Sequence, residues 1–391
     1  MLQKSQWFVR VVCIALLISV FPALPLVAQS AAIFDVTVES AILVDGDSGQ
    51  VLFEKNADLK LPPASMAKMM TMLLVMEEID AGRAKLTDPV KVSARAATTG
   101  GSQVYLKQGE TFSVEEMMKA VTIHSANDAS VALAEHFSGA VEAFVDRMNR
   151  RAQELGLKNT YFSNPDGLPP EEGEAPTLST ARDLAILARE LLKHPKVFEW
   201  TVLITAPFRP QTTLYNTNKL IGKYPGLDGL KTGHTQEAGW CLAATAKRDD
   251  VRLISIVMRG ADENERQSQT ARLLDYGFTN FEPVQVAEAG AKVGSVKIRT
   301  GWPGVAAVNA QDALAPLVMK GTTNNVVTEV ILDENVKPPL KAGDRVGVVV
   351  VKADDKELVS TDAVLAVDVK KANFIVLFFR WVKGLIVGLF S

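Results

Sequence analysis

Apolar residues in the first two thirds of the chain follow helical and strand periodicities in turn. Two apolar runs, 41–45 and 51–54, are separated by the turn-forming residues 46–49, which predicts a β-hairpin. The other elements predicted by periodicity are helices at 66–79, 114–123, 128–137, 141–155, 180–192 and 264–276 and strands at 230–235, 239–246 and 252–257. Strands at both ends of a helical middle predict an α/β (α+β) unit on an antiparallel sheet.

Past residue 281 the helical periodicity stops. Short apolar runs separated by Gly and Pro predict strands at 293–298, 325–332, 346–352 and 358–365. We therefore expect a small all-β domain, a β-sandwich at 280–371. Since this stretch lacks a cluster of catalytic residue types, we interpret it as a spacer or a partner-binding module.

The first residues resemble a targeting segment. Lys4 and Arg10 precede an apolar run at 11–20, and small residues follow at Ala28, Ser30, Ala31 and Ala32. This order is typical of a secretory signal peptide, which we predict at residues 1–32. A retained N-terminal anchor is the alternative.

The last residues, 372–391, predict an amphipathic helix in which Arg380 and Lys383 lie on a polar stripe and Phe and Trp cover the rest. A spanning helix would have to hide both charges at mid-segment. A helix that lies in the membrane interface accommodates them better. A terminal helix packed on the protein core and a transmembrane end are the alternatives.

Charge and cysteine content narrow the possible functions. The chain of 391 residues has a net charge of −3, which gives no electrostatic reason to expect nucleic acid as a partner. Cys13 lies in the predicted signal peptide, so Cys241 would be the single thiol of the mature chain and no internal disulfide is expected. The four histidines are scattered without a zinc motif, and we predict neither a metal nor another cofactor.

The first motif with chemical meaning is Ser65-Met-Ala-Lys68, which follows two prolines. Proline suits a helix start, and residues three apart on a first turn share a face. The Lys68 amine can therefore reach the Ser65 hydroxyl, which is a poor nucleophile until a base takes its proton. Desolvation and a nearby second cation would lower the pKa of the lysine and favour its neutral form.

Two further motifs follow at intervals of about 60 and 105 residues. Ser125-Ala-Asn127 falls between two predicted helices; Ser125 could relay a proton, and Asn127 could hold Lys68 and the substrate amide. Lys231-Thr232-Gly233 lies on a predicted strand, where the lysine and threonine can bind a carboxylate and the glycine admits a substrate backbone to the strand edge. Each motif alone is common, but the ordered set is typical of β-lactamases and penicillin-binding proteins.

With these motifs the chain resembles the low-molecular-mass penicillin-binding proteins, D-alanyl-D-alanine carboxypeptidases of serine peptidase family S11, over nearly its whole length. The strings that carry the resemblance are Pro63-Ala-Ser-Met-Ala-Lys68, Ser125-Ala-Asn-Asp128, Asn159-Thr-Tyr-Phe162, Asn164-Pro-Asp-Gly-Leu168, Ser179-Thr-Ala-Arg-Asp-Leu184 and Asp228-Gly-Leu-Lys-Thr-Gly-His-Thr235. The resemblance implies a β-lactamase/transpeptidase-like catalytic domain at 33–279 whose antiparallel sheet is flanked by helices.

The resemblance also implies roles for site residues. Ser65 would be the nucleophile and Lys68 its general base, with oxyanion-hole amides from Ser65 and His234. Arg266 matches a family arginine near the site of the terminal carboxylate. Asp166 stands where the family more often has His, and we assign it no role.

The partners implied are the peptidoglycan stem peptide as substrate, β-lactam antibiotics as inhibitors, and the membrane surface through the C-terminal helix. The protein would then act outside the cytoplasmic membrane, in the periplasm or on the outer face of that membrane.

Three other interpretations fit the residues less well. A class A β-lactamase shares the motifs but needs a dedicated carboxylate for deacylation, and Glu171, Glu172 and Glu174 lie in a loop without that enzyme's Glu-x-x-x-Asn string. A non-enzymatic peptidoglycan-binding scaffold has no need of the Ser–Lys pair. A Ser-His-Asp triad through His234 lacks the Gly-x-Ser-x-Gly elbow.

Overall fold

The structure, a computed structural model, describes residues 34–170, 173, 175–321, 326–333 and 336–388. The chain divides into Met1–Asp35 and a compact unit, Val36–Ser391, which contains the described helices and strands. The predicted signal peptide and the three glutamates of the acidic loop lie outside the described residues.

Helices are concentrated in the first two thirds of this unit. Its helical elements are a 3-10 turn (Ala64–Ala67), α1 (Lys68–Asp80), α2 (Ala94–Thr98), α3 (Val114–Ile123), α4 (Asn127–Ser138), α5 (Val141–Glu154), α6 (Ala181–Leu191), α7 (Pro195–Thr201), α8 (Glu263–Asn280) and α9 (Phe374–Gly388).

Strands occur at both ends of the helical part and dominate after α8. They are β1 (Ser40–Asp45), β2 (Val51–Lys55), β3 (Pro89–Lys91), β4 (Thr111–Ser113), β5 (Thr205–Arg209), β6 (Thr212–Tyr215), β7 (Leu227–Thr235), β8 (Gly239–Arg248), β9 (Val251–Gly260), β10 (Phe281–Pro283), β11 (Lys292–Lys297), β12 (Gly301–Trp302), β13 (Val305–Ala310), β14 (Leu317–Met319), β15 (Val326–Leu332), β16 (Arg345–Ala353), β17 (Lys356–Leu365) and β18 (Lys370–Lys371).

The first sheet has the strand order β2-β1-β9-β8-β7, with every pair antiparallel. Apolar residues alternate between its two faces. Ile42 and Ile256 join the core formed with the helices between β2 and β7, and Leu43 and Leu253 face α8 at Gly277. The predicted antiparallel sheet flanked by helices is therefore confirmed, with β7 at one edge.

Two local features differ from the sequence prediction. The helix expected at 66–79 begins as a 3-10 turn, whose first residue, Ala64, has a left-handed conformation with φ of 47°. It becomes α-helical only at Lys68. The antiparallel pair β3–β4, the hairpin β5–β6 and the short helices α2 and α7 were not predicted, because three to seven residues carry too little periodicity.

The all-β C-terminal region is also confirmed. Its main sheet has the order β11-β13-β17-β16-β15, and Val308, Val349 and Val351 belong to its own apolar core. The Gln50 side chain joins this region to the first sheet: its amide donates to the Leu317 carbonyl at 2.6 Å and accepts from the Leu317 N–H at 2.9 Å. The boundaries predicted for the individual domains stay predictions.

The last helix, α9, begins at Phe374. The side chain of the preceding residue, Asn373, accepts a hydrogen bond from the Val376 amide at 3.0 Å. Arg380 donates to the carbonyls of Arg299 and Gly301 at 3.0 and 2.8 Å, which ties the helix to the β region. Within the described ranges, no helix combines the length and the apolarity that crossing a membrane requires.

Candidate active site

Ser65 and Lys68 meet at the junction between the 3-10 turn and α1. Lys68 Nζ donates a hydrogen bond to Ser65 Oγ at 2.9 Å. The predicted proximity of the two side chains therefore exists, although a 3-10 turn rather than an α-helix provides it. The lysine side chain is fully buried.

Two more oxygens surround the Lys68 amine. Nζ donates to Asn127 Oδ1 and to the Asp166 carbonyl, both at 2.6 Å. Burial lowers the pKa of Lys68 to about 8, while the carboxylates of Asp166 and Asp128 oppose that shift. Close to neutral pH, an appreciable fraction of this amine is therefore unprotonated.

The loop that supplies the Asp166 carbonyl is fixed against the turn that carries Ser65. Thr71 Oγ1 donates to the Pro165 carbonyl at 2.6 Å, and the Gly167 amide donates to Asn164 Oδ1 at 2.6 Å. Gly167 has φ of 78° and packs so closely on the Ala64 carbonyl that a Cβ would overlap it. The loop thus has little freedom to move away from Lys68.

Ser125 lies in the break between α3 and α4, in the left-handed conformation with φ of 64°. Asn127 is the first residue of α4, and its Nδ2 donates to the Gly100 carbonyl at 2.8 Å. Next to it, the buried Asp128 carboxylate accepts from the amides of Val104 and Leu106 and so holds the loop before β4.

Strand β7 forms the opposite wall of the site. Lys231 Nζ, buried under the sheet edge, donates to Ser125 Oγ at 2.8 Å and to the Thr232 carbonyl at 2.9 Å. Burial, followed by the charges of Lys68 and Arg266, lowers the pKa of Lys231. A Cβ on Gly233 would lie 2.5 Å from the Pro63 carbonyl oxygen, so only glycine lets β7 approach the turn this closely.

A cleft of about 380 Å³ lies between these walls. Its lining residues are Ser65, Ser102, Ser125, Thr217, Lys219, Thr232, Gly233, His234, Trp240, Glu263 and Arg266. Lys68, Asn127 and Lys231 are buried beside the cleft. Lys68 donates hydrogen bonds to Ser65 Oγ and Asn127 Oδ1, and Lys231 donates one to Ser125 Oγ.

One end of the cleft is cationic. Arg266 is only 3% exposed, lies over the Trp240 ring at 4.9 Å and donates to Glu263 at 3.0 Å, while its Nε has no hydrogen-bond partner within the described residues. His234 is exposed and its ring lies 4.0 Å from that of Trp240. Such an end is suited to a carboxylate.

The nine predicted site residues thus come together around one cleft, while their individual roles remain predictions. Ser102, Thr217, Lys219, Trp240 and Glu263 also line it and were missed. Their types and spacing form no motif, so only tertiary structure reveals them. The described residues contain no group of three or more His, Cys, Asp or Glu side chains placed to hold a metal ion.

Two family models match the chain. Residues 27–262 match the peptidase S11 model, described as D-alanyl-D-alanine carboxypeptidase, and residues 281–371 match the C-terminal domain of penicillin-binding protein 5. The chain belongs to the peptidase S11 family. The D-alanyl-D-alanine carboxypeptidase DacF of Bacillus subtilis, a curated relative, is 42% identical over 342 residues, which cover 86% of this chain and 87% of the relative.

Solved structures of the family agree with this assignment. Penicillin-binding protein 5 of Haemophilus influenzae has a TM-score of 0.77 at 32% identity, covering 86% of this chain and 99% of that one. Penicillin-binding protein D2 of Listeria monocytogenes, solved in its ampicillin-bound form, has a TM-score of 0.57 at 34% identity, covering 62% of this chain and 98% of that one. S11 family members are serine carboxypeptidases, and the resemblance inferred from sequence is confirmed.

Proposed function

We propose that this protein removes the terminal D-alanine from peptidoglycan stem peptides through an acyl-enzyme on Ser65. The observation that carries the proposal is the 2.9 Å hydrogen bond between Lys68 Nζ and Ser65 Oγ, made by a buried amine beside an open cleft. A serine hydroxyl needs such a base, and a lysine can be one only when it is neutral.

In the first step, Ser65 Oγ attacks the carbonyl carbon of the penultimate D-alanine and passes its proton to Lys68 Nζ. Asn127 and the Asp166 carbonyl fix the amine by their hydrogen bonds at 2.6 Å. Because the amine is held at the hydroxyl before the substrate arrives, little reorganisation is needed at the moment of proton transfer.

The oxyanion formed in that step needs two donors. We assign the amides of Ser65 and His234 to it, and the close packing of Gly233 on Pro63 supports the assignment because it brings β7 next to the turn that carries Ser65. The same strand is an edge of its sheet, along which an extended peptide can bind through main-chain hydrogen bonds.

The leaving amine needs a proton when the C–N bond breaks. Ser125 is the donor in this proposal, and Lys231 Nζ, 2.8 Å from its hydroxyl, stabilises the alkoxide and returns a proton to it. After D-alanine has left, Lys68 holds the proton from Ser65 and Lys231 has given one up, and proton exchange with solvent resets both lysines. Water then attacks the ester carbonyl and gives a proton to the neutral Lys68 amine, which passes it to the departing Ser65 oxygen, so that the resting site is restored.

The terminal carboxylate of the substrate is recognised at the cationic end of the cleft. Thr232, whose hydroxyl is 2.7 Å from that of Thr217, and Arg266 line this end, and Lys231 adds positive charge behind them. Arg266 Nε, which finds no hydrogen-bond partner among the residues that the structure describes, supports the assignment, because a buried guanidinium donor is costly to leave unpaired unless a ligand completes it.

The same site would also react with β-lactams, whose strained amide mimics the scissile bond. The Listeria relative was solved in ampicillin- and cefotaxime-bound forms, which supports the proposal that β-lactams acylate Ser65 here. We do not invoke a cofactor for any step.

We further propose that the protein works outside the cytoplasmic membrane and is held there by α9. The helix exposes aromatic side chains, among them Phe374 at 80% and Trp381 at 62%, which are favoured at a membrane interface. Deleting residues 373–391 is expected to move the protein into the soluble fraction; unchanged membrane retention would place the anchor elsewhere. Export through residues 1–32 belongs to the same proposal.

One assay tests the enzymatic proposal directly. Purified protein incubated with a pentapeptide ending in D-Ala-D-Ala is expected to release free D-alanine, and Lys68→Ala is expected to abolish release while the protein stays folded. Folded wild-type protein that releases none and takes up no fluorescent penicillin would favour a peptidoglycan-binding scaffold instead.

A further inference from the structure

The side chain of Asp166 is a buried acid that the proposed mechanism leaves unused. Asp166 is only 4% exposed, and its Oδ1 accepts a hydrogen bond from the Leu168 amide at 2.8 Å. Its backbone carbonyl is already one of the three acceptors around Lys68. A carboxyl group kept away from water at such a place needs a physical reason.

The carboxylate cannot lie far from the Lys68 amine. Its own carbonyl oxygen is 2.6 Å from Nζ. The few covalent bonds between that carbonyl and Oδ1 keep the carboxylate within roughly 7 Å of the amine. The packing of Gly167 on Ala64 and the Thr71–Pro165 hydrogen bond hold the loop in place, so this distance is fixed by the fold.

We propose that Asp166 is a positioning residue for Lys68. The negative charge of the Asp166 carboxylate favours the protonated Lys68 amine and thereby sets the lowest pH at which Ser65 is activated. This inference rests on the proposed function and adds a residue to it.

The other charged groups that face Lys68 do not replace Asp166. Asp128, on α4, is bound by backbone amides, faces Arg209, and serves the loop before β4. Lys231, on β7, is a cation and acts in the opposite direction. Arg95, on α2, faces Asp166 and favours its charged form.

Electrostatics within the pair supports the proposal. Burial raises the pKa of Asp166 above its usual value, although the charge of Lys68 opposes this shift. The Asp166 carboxylate in turn raises the pKa of Lys68 against the effect of burial. The two groups therefore titrate as a coupled pair, and removing the charge of one changes the proton affinity of the other.

The test is the pH dependence of Ser65 acylation by a fluorescent penicillin, measured as a second-order rate constant from about pH 5.5 to about pH 9.5, a range that brackets the titration of a lysine with a lowered pKa. Asp166→Asn removes the charge and keeps an acceptor for the Leu168 amide. We expect the acid limb of the profile, the range in which the rate constant rises with pH, to move to lower pH by about one unit, as a charge at this distance predicts. Acylation at about pH 6 should then be roughly tenfold faster than in the wild type.

Asp146→Asn is the matched control. Asp146 lines the same cavity of about 530 Å³ as Asp166, but it is exposed. Its substitution removes an equal charge and should leave the acid limb in place, since Asp146 is not among the groups that shift the pKa of Lys68. A purely structural role of Asp166 would lower the rate at every pH without moving the limb.

The inference would be overturned if the acid limb of the Asp166→Asn profile lay at the same pH as in the wild type, or at a higher pH. Asp166→Ser, which also keeps an acceptor, takes the place of Asp166→Asn if that variant does not fold. Failure of both variants to fold would also contradict the inference, because Asp166 would then be needed for structure. A wild-type protein that takes up no penicillin at any pH would instead contradict the proposed function.

Discussion

Lys231 Nζ donates a hydrogen bond to Ser125 Oγ at 2.8 Å, across 106 residues of sequence. The bond joins the edge strand β7 to the break between α3 and α4. Ser125 is held there with φ of 64°, a conformation that costs a non-glycine residue about 1–3 kcal/mol. That strain is maintained because the neighbouring backbone is fixed, for example by the Thr217 amide, which donates to the Ile123 carbonyl at 3.1 Å.

Ser125→Ala should slow acylation of Ser65 by about 10²–10⁴, the range typical of losing one acid–base group. The substitution removes the hydroxyl that protonates the leaving group, whereas Lys68 still activates Ser65. Ser102→Ala is the control, since Ser102 lines the same cleft but donates to the His124 carbonyl at 2.9 Å. The rate constant for fluorescent penicillin, measured for both variants, checks this; equal effects would remove Ser125 from the proton path.

The acylation rate of the wild type should increase with pH and level off above about 8, since the pKa of Lys68 is lowered to about 8. Lys68 can accept the Ser65 proton only when it is neutral, and its neutral fraction falls roughly tenfold per pH unit below that pKa. A stopped-flow pH profile with a chromogenic cephalosporin checks this expectation. A rate that stays flat two pH units below that pKa would mean that another group is the base.

Substitutions at Arg266 and Glu263 should change substrate recognition in opposite directions. Arg266→Gln removes a charge-assisted contact to the terminal carboxylate, worth about 1.5–3 kcal/mol, and should lower kcat/KM by roughly 10- to 100-fold. Glu263→Gln frees Arg266 from its 3.0 Å partner and should lower KM. Release of D-alanine from the pentapeptide measures both effects, and equal losses in the two variants would place the carboxylate elsewhere.

Gln50→Ala should loosen the connection between the first sheet and the C-terminal region. The change leaves the Leu317 N–H and carbonyl without their side-chain partner, at a cost of about 1–3 kcal/mol. Hydrogen exchange at β14 should become faster, while acylation of Ser65 stays unchanged. Gln211→Ala, at an exposed position after β5, is the control. Unchanged exchange in Gln50→Ala would mean that other contacts carry the connection.

Long, periodic elements and ordered motifs were predictable from the sequence. The helix expected at 114–123 is α3 to the residue, and the hairpin expected from 41–54 is β1–β2. The three motifs were predicted to surround one site because each places chemically suited residues on a turn, a break or a strand, and these elements do line one cleft.

Contacts made by the backbone were not predictable. The Asp166 carbonyl binds Lys68 through an atom that every residue has, so residue type carries no signal for it. Lys219 and Thr217 follow β6 in a segment without a motif, and they reach the cleft only because the sheet brings β7 beside them. The 3-10 turn depends on the backbone of Ala64, for which composition gives no indication.

The central claim is that Ser65, activated by Lys68, becomes covalently acylated. Intact-mass measurement of the protein quenched after exposure to a β-lactam, followed by peptide mapping, tests this most directly. We predict a single adduct on the peptide that contains Ser65, present in the wild type and absent from folded Lys68→Ala. An adduct on another residue, or equal labelling of Lys68→Ala, would contradict the account.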